Sequence, residues 1–203
     1  LAKSVKTIVD QVDAMKRLVN EFRDYARLPS AELRPVQLNA LISDLMVLYA
    51  SEPTDQVHRA PVSVVLDTAC PPIQGDEQQL RQVIHNLLQN AQDACETRHG
   101  ALADARVCVS TEWRAQRNRV RLTVTDTGPG FEPNILKRAF EPYVTTKSKG
   151  TGLGLAVVKK IADEHGARIE LSNVEQDGEI KGAQVSLSFA LNATAGGLHQ
   201  PSA

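Results

Sequence analysis

Asn86 and Asn90 stand four apart in the stretch "HNLLQNAQDA", a spacing that puts both amides on one face of a helix. One asparagine near a core boundary is most often a satisfied structural amide. Two of them can instead present oxygens to a hard cation such as Mg2+. Further along, Asp126-Thr127-Gly128-Pro129-Gly130 ends a strand-like run. Alone this is an ordinary Asp-Gly turn. In a pocket, such a carboxylate can also accept a hydrogen bond from an amino group, adenine's exocyclic amine being one such donor. Third comes "GTGLGL", in which Gly150, Gly152 and Gly154 surround Thr151 and Leu153, just before an amphipathic helix. Glycines there let backbone N–H groups face an anion, and the helix N-terminus adds a favourable dipole. Lys147 and Lys149 stand just upstream and add positive charge. The loop is neither a Walker pattern, which needs Gly-Lys-Ser/Thr, nor a dinucleotide fingerprint, which needs a strand just before it. Each motif alone is weak. The signal is their combination in this order: metal-type amides, an amine acceptor, an anion loop.

These residues need elements to hold them. The asparagine pair falls on a long helix, "EQQLRQVIHNLLQNAQDACETR", with Asp76 as its N-cap and Val83, Ile84, Leu87, Leu88 and Ala91 as its core side. Asp126 ends "RVRLTVTD", where Val120, Leu122 and Val124 alternate with Arg121, Thr123 and Thr125. That alternation predicts a half-buried strand of an antiparallel sheet. "VSVVLD" and "RVCVSTEW" are further strands, and "CPPIQGD" reads as a turn. A short helix is expected near Ile135. The glycine loop feeds the helix "LAVVKKIADEHG", stopped by Gly166. A hairpin follows, "RIELSN" and "AQVSLSFAL" around Asp177-Gly178. Upstream, "VQLNALISDLMVLYA" is an amphipathic helix with Leu38, Leu41, Ile42, Leu45 and Leu48 on one face. Residues 37–191 therefore read as an α+β domain, a two-layer sandwich whose mixed sheet is covered on one face by helices.

Residues 1–29 differ in pattern. Val5, Ile8, Val12, Met15, Val19, Phe22 and Ala26 alternate by three and four, a seam of heptad a and d positions that needs a partner helix. Pro29 and Pro35 bound a linker over residues 30–36, and the tail 192–203 has no periodicity and is expected to be disordered. A net charge of −1 argues against a nucleic-acid partner held by bulk electrostatics. Three unevenly spaced cysteines without a CxxC argue against a disulfide framework and a zinc site, and fit a reducing compartment. No apolar run approaches a membrane span. The sequence begins at Leu1, inside a helical pattern, and reads as part of a longer protein.

The ordered motifs resemble those of the ATP-binding catalytic domain of two-component sensor histidine kinases, members of the gyrase, Hsp90, histidine kinase and MutL ATPase superfamily. "HNLLQNAQDA" is similar to the N box, "DTGPGF" to the G1 box, "FEPYVTTK" to the F box and "GTGLGL" to the G2 box. "VDQVDAMKRLVNEFRDYARLP" resembles the second helix of the dimerisation and histidine-phosphotransfer hairpin, with wording closest to nitrogen-regulation kinases of the NtrY and NtrB type. The resemblance implies a Bergerat-type ATP-binding fold and assigns roles by position. Asn90 would ligate Mg2+, with Asn86 nearby. Asp126 would bind the adenine amine, with Gly128 and Gly130 shaping the pocket. Phe140 would belong to an ATP lid between Gly130 and Gly150, with Lys147 available to the phosphates. Gly150, Gly152, Leu153 and Gly154 would line the triphosphate.

Hydrolytic members of the superfamily carry a Glu four residues before the metal-binding Asn. Asn86 stands there, and an amide cannot activate water. The resemblance thus implies Mg·ATP held for an imidazole acceptor, with a hydrolytic ATPase or a nucleotide-free scaffold as the alternatives. None of His58, His85, His99, His165 or His199 is followed by the H-box pattern, so this sequence by itself is not expected to phosphorylate itself. His165, beside the helix stop, reads as a cation suited to the helix dipole. The implied partners are a response-regulator receiver domain and, through the hairpin, a second copy of the parent. The implied location is cytoplasmic, with the parent anchored to the inner membrane.

Overall fold

The computed structural model describes residues 28–51, 60–99, 104–145 and 150–191, together with single positions between 9 and 26. After the helical positions between 9 and 26, the described residues form seven strands and four α-helices in order: β1 (Arg34–Val36), α1 (Leu38–Ser51), β2 (Val62–Val65), β3 (Ile73–Gly75), α2 (Glu77–His99), β4 (Val107–Arg114), β5 (Arg119–Asp126), α3 (Pro133–Arg138), α4 (Gly154–Glu164), β6 (Arg168–Gln176) and β7 (Glu179–Ala190).

Period-two alternation builds the main sheet. In β5, Val120, Leu122, Val124 and Asp126 are buried while Arg119, Arg121, Thr123 and Thr125 are half-buried on the other face. The sheet has five strands in the order β2-β4-β5-β7-β6. All its pairs are antiparallel except β2 with β4. Its apolar face supplies Val107, Val109, Leu122, Leu187 and Phe189 to one core with Val83, Leu87 and Leu88 of α2 and Val157, Val158 and Ile161 of α4. One face packed and one face wet is what antiparallel sheets permit. The two-layer α+β sandwich expected from the sequence is the fold observed.

The hairpin turn places Asp177 at φ 53° and Gly178 at φ 78°, the left-handed pair that a tight two-residue connection requires. Its strands run longer than the sequence pattern indicated, with a bulge between Val174 and Glu175.

Two readings are corrected. The sequence pattern places residues 34–36 in the linker and reads "CPPIQGD" as a turn. In the structure Arg34–Val36 is a strand paired antiparallel with Ile73–Gly75 inside that stretch. Three-residue strands containing or flanked by proline carry almost no periodicity, so pairing alone defines them. Two further contacts join this stretch to the start of α2. Asp76 Oδ2 accepts the Glu32 N–H at 3.0 Å, and Gln79 Nε2 donates to the Pro29 carbonyl at 2.8 Å. The face expected on α1 also shortens. Leu38, Leu41 and Ile42 are buried, but Leu48 is 60% exposed.

Of the N-terminal seam, Val12, Met15, Val19, Phe22 and Ala26 are helical and exposed, as are Val9 and Leu18 outside it. Val5 and Ile8 lie outside the described residues, as do the tail 192–203, Lys147 and Lys149. No described helix is long and apolar enough to cross a membrane. The three cysteines are free thiols.

Candidate functional site

α2 begins where Asp76 caps it. Asp76 Oδ1 accepts the Gln78 and Gln79 N–H groups at 3.0 and 3.1 Å. Burial pushes the Asp76 carboxyl up, but the N–H donors of Glu32, Gln79 and Gln78 outweigh it and hold the group below the ordinary carboxylate range. From that start the helix buries Val83, Ile84, Leu87, Leu88, Ala91 and Cys95. A second stripe, at steps of four, lies beside the core: Asn86, Asn90, Ala94 and Arg98. Asn86 is half-buried and makes no side-chain hydrogen bond among the described residues.

The stripe meets both glycine segments. A Cβ on Gly154 would lie 3.5 Å from Asn90 Nδ2, so the glycine loop enters α4 directly over this amide. One turn on, a Cβ on Gly128 would lie 2.7 Å from Ala94 Cβ and 2.9 Å from its backbone carbon. Arg98 Nη1 then donates to the Gly128 carbonyl at 2.8 Å. Asn90 and Ala94 are one helical turn apart, about 6 Å along the axis. The metal-type amide and the carboxylate turn are therefore neighbours along one helix.

Asp126 is 9% exposed at the end of β5. Its Oδ1 accepts the Gly128 N–H at 2.7 Å and the Ala183 N–H at 3.3 Å, which orients the carboxylate from both sides. β7 approaches this point so closely that a Cβ on Gly182 would lie 1.8 Å from the Asp126 carbonyl oxygen. Gly130 has φ +81°, and a Cβ there would meet Ile180 at 2.5 Å and Asn173 Oδ1 at 2.9 Å. Asn173 clamps the next residue with two bonds. Its Oδ1 accepts the Phe131 N–H at 2.7 Å, and its Nδ2 donates to the Phe131 carbonyl at 2.9 Å. Gly128 and Gly130 are thus required first by protein neighbours that press the turn into place.

The glycine loop has its own closure. Tyr143 N–H donates to the Gly152 carbonyl at 3.0 Å. Gly152 sits at φ +71°, and a Cβ there would lie 2.5 Å from the Tyr143 carbonyl carbon. Tyr143 itself is at φ 67°, an uncommon conformation for a side-chain-bearing residue. This contact joins the two ends of the segment 144–151. Phe140 is half-buried at its base and Gly150 is exposed. Arg138 Nε donates to Glu141 Oε2 at 2.8 Å, which draws the Glu141 carboxyl below its ordinary range. Leu153, expected to line the triphosphate, has its side chain fully buried in the core, so its backbone alone belongs to the loop.

The structure brings Asn90 to Gly154, and Asp126 to Gly128. Lys147 lies outside the described residues. Sequence reasoning missed Arg98, Asn173 and Gly182. Two of them carried a signal. Asn and Gly are both disfavoured inside strands, and a strand glycine marks a close backbone approach. The reading of His165 as a dipole-paired cation is corrected. Its Nε2 accepts the Asp76 N–H at 2.9 Å, so the proton sits on Nδ1, 2.8 Å from the Ile161 carbonyl. A ring that accepts at one nitrogen is neutral.

Residues 75–193 match the family described as histidine kinase-, DNA gyrase B-, and HSP90-like ATPase. A putative sensor histidine kinase NtrY-like of Rickettsia conorii is 31% identical over 87% of this chain and 28% of its own length. The sensor histidine kinase ZraS of Escherichia coli O157:H7 is 32% identical over 93% of this chain and 38% of its own. The chain therefore spans about a third of these relatives. Among solved structures, full-length ShkA in complex with AMPPNP is similar with a TM-score of 0.72 and 26% identity, over 93% of this chain and 38% of that one.

Proposed function

The chain belongs to the family of histidine kinase-, DNA gyrase B- and HSP90-like ATPases, and from that premise we propose that it holds Mg·ATP for phosphoryl transfer to a histidine outside this sequence, as the catalytic domain of a sensor kinase. The observation that carries this reading is the single stripe of α2, on which Asn90 meets the Gly154 loop and Ala94 and Arg98 meet the Gly128 turn.

In this reading the Asp126 carboxylate, turned by the Gly128 and Ala183 N–H groups, accepts the adenine amine. Gly150, Gly152 and Gly154, with the backbone of Leu153, face the phosphates at the N-terminus of α4. Asn90, with Asn86 one turn back, offers the metal an amide oxygen. The donor set suits Mg2+. The described residues contain no group of three or more His, Cys, Asp or Glu able to cage an ion, and Mg2+ at nucleotide sites takes few protein oxygens beside the substrate phosphates. Bound there, the ion would neutralise charge on the transferring phosphoryl group. Phe140 and Lys147 belong to the lid, Lys147 on sequence alone. Asn86 supplies no base, which favours transfer to an imidazole over hydrolysis. The acceptor then passes phosphate to a receiver-domain aspartate, and the parent protein pairs through its hairpin at the cytoplasmic side of a membrane.

A Mg2+-dependent titration comparing ATP with GTP tests the site. Asp126→Asn keeps an oxygen for the two N–H groups but offers an amide donor where the amine must be accepted. ATP affinity is expected to fall about tenfold or more. Asn90→Ala is expected to remove the Mg2+ dependence. Phosphate release near background, with ATP bound, separates this reading from a hydrolytic one. Binding indifferent to both substitutions overturns it.

A further inference from the structure

α2 and α4 touch at two distant points. Near the N-terminus of α4, Gly154 faces the Asn90 amide. Just past its C-terminus, the His165 ring, 9% exposed, bonds to the N-cap residue of α2. Asp76 and Asn90 are separated by about 21 Å of helix, and Gly154 and His165 by about 17 Å. The helices are therefore antiparallel and pinned at both ends. Between the pins the contact is apolar, with Leu80, Leu87, Val157 and Ile161 in the shared core.

We propose that His165 is a positioning residue that sets the axial register of the glycine-loop helix against the helix carrying Asn90. The proposal rests on the Mg·ATP reading of the site. Apolar contact is non-directional and tolerates small sliding. A hydrogen bond is directional and does not. Both ring nitrogens are committed, Nδ1 to the Ile161 carbonyl of its own helix and Nε2 to the Asp76 N–H. The ring thus locks the end of α4 to the start of α2. Gly75 leaves it room, since a Cβ there would lie 2.6 Å from Leu80 Cδ1 and 3.4 Å from His165 Cδ2. A slide at this end moves the glycine loop over Asn90 by the same amount. It leaves Asp126 where it is, because Asp126 is held by β7 and its own turn. His165 therefore governs the distance between metal and phosphate ligands and leaves the adenine pocket alone.

The test measures ATP affinity with Mg2+ and with excess EDTA, and adenosine affinity, in the wild-type chain and in His165→Phe. The ratio of the two ATP affinities reads the metal–phosphate geometry. Phe keeps the ring and loses both bonds. The ratio is expected to fall about tenfold with adenosine binding unchanged, and His165→Gln, whose amide reaches as far as Nε2, is expected to restore it. A wild-type ratio in His165→Phe, or ATP and adenosine weakening in parallel, overturns the proposal. If His165→Phe does not fold, His165→Gln and His165→Asn decide it. Asn reaches only as far as Nδ1 and is expected to lose the ratio that Gln keeps, and equal ratios overturn the proposal. A wild-type chain without any Mg2+ effect on ATP overturns the reading of the site as well, an outcome distinct from a wild-type effect that His165 does not govern.

Discussion

Gly178 and Gly182 belong to the same hairpin but are glycine for different reasons. Gly178 stands at φ +78° with nothing within 4 Å of where a Cβ would be. Its demand is conformational, so Gly178→Ala is expected to cost about 1–2 kcal/mol. Gly182 carries no such dihedral, but its Cβ would overlap the Asp126 carbonyl oxygen. Gly182→Ala must displace β7 from the end of β5. It is expected to cost about 3 kcal/mol or more, in the range of core overpacking. Urea midpoints of the two variants check the order, and equal midpoints would remove the argument that β7 presses on Asp126. Only the second substitution should also weaken ATP binding. Asn173 acts on the same turn from β6, through the two backbone bonds to Phe131.

α2 is the element on which the others converge, and its start is an electrostatic point. Asp76 caps the helix, receives the Glu32 N–H and offers its own N–H to His165. Asp67 has a similar role at the sheet edge, where the Trp113 and Ala69 N–H groups hold its carboxyl below the ordinary range. Both folded-state values are depressed. Their stabilisation is therefore complete above the unfolded-state values near pH 4 and is lost as pH falls through the lower folded ones. Urea midpoints measured from pH 7 to pH 3 should hold steady and then fall in the acid range. Asp76→Asn should shrink that fall, while Asp76→Ala lowers the unfolding free energy at pH 7 by about 1 kcal/mol for the lost cap, and the midpoint with it. A flat profile in the wild-type chain would contradict the capping geometry.

At the scale of the molecule, the exposed helical positions ahead of the domain carry large apolar side chains at the surface. Met15, Val19 and Phe22 are 65%, 62% and 50% exposed. Burying such side chains between two copies contributes about 1.5–3 kcal/mol each, so weak self-association is expected. Sedimentation at increasing concentration checks it, and Phe22→Glu should weaken the association about tenfold or more. A strict monomer at high concentration would remove the claim. Much of the rest was legible in the chain itself. Periodicity marked α2, α4, β5 and the hairpin, because a buried face repeats at the period of its element. The order of asparagines, Asp126 and the glycine loop pointed to a nucleotide, because those residue types carry their chemistry wherever they stand. What the chain could not reveal is contact across distance. β1 with β3, Gly182 against Asp126, Asn173 on Phe131 and His165 on Asp76 join residues between 37 and 89 positions apart. No local pattern encodes such pairs. They exist because the sheet and the two helices pack in one arrangement, and that packing decides which neighbour each glycine, amide and imidazole meets.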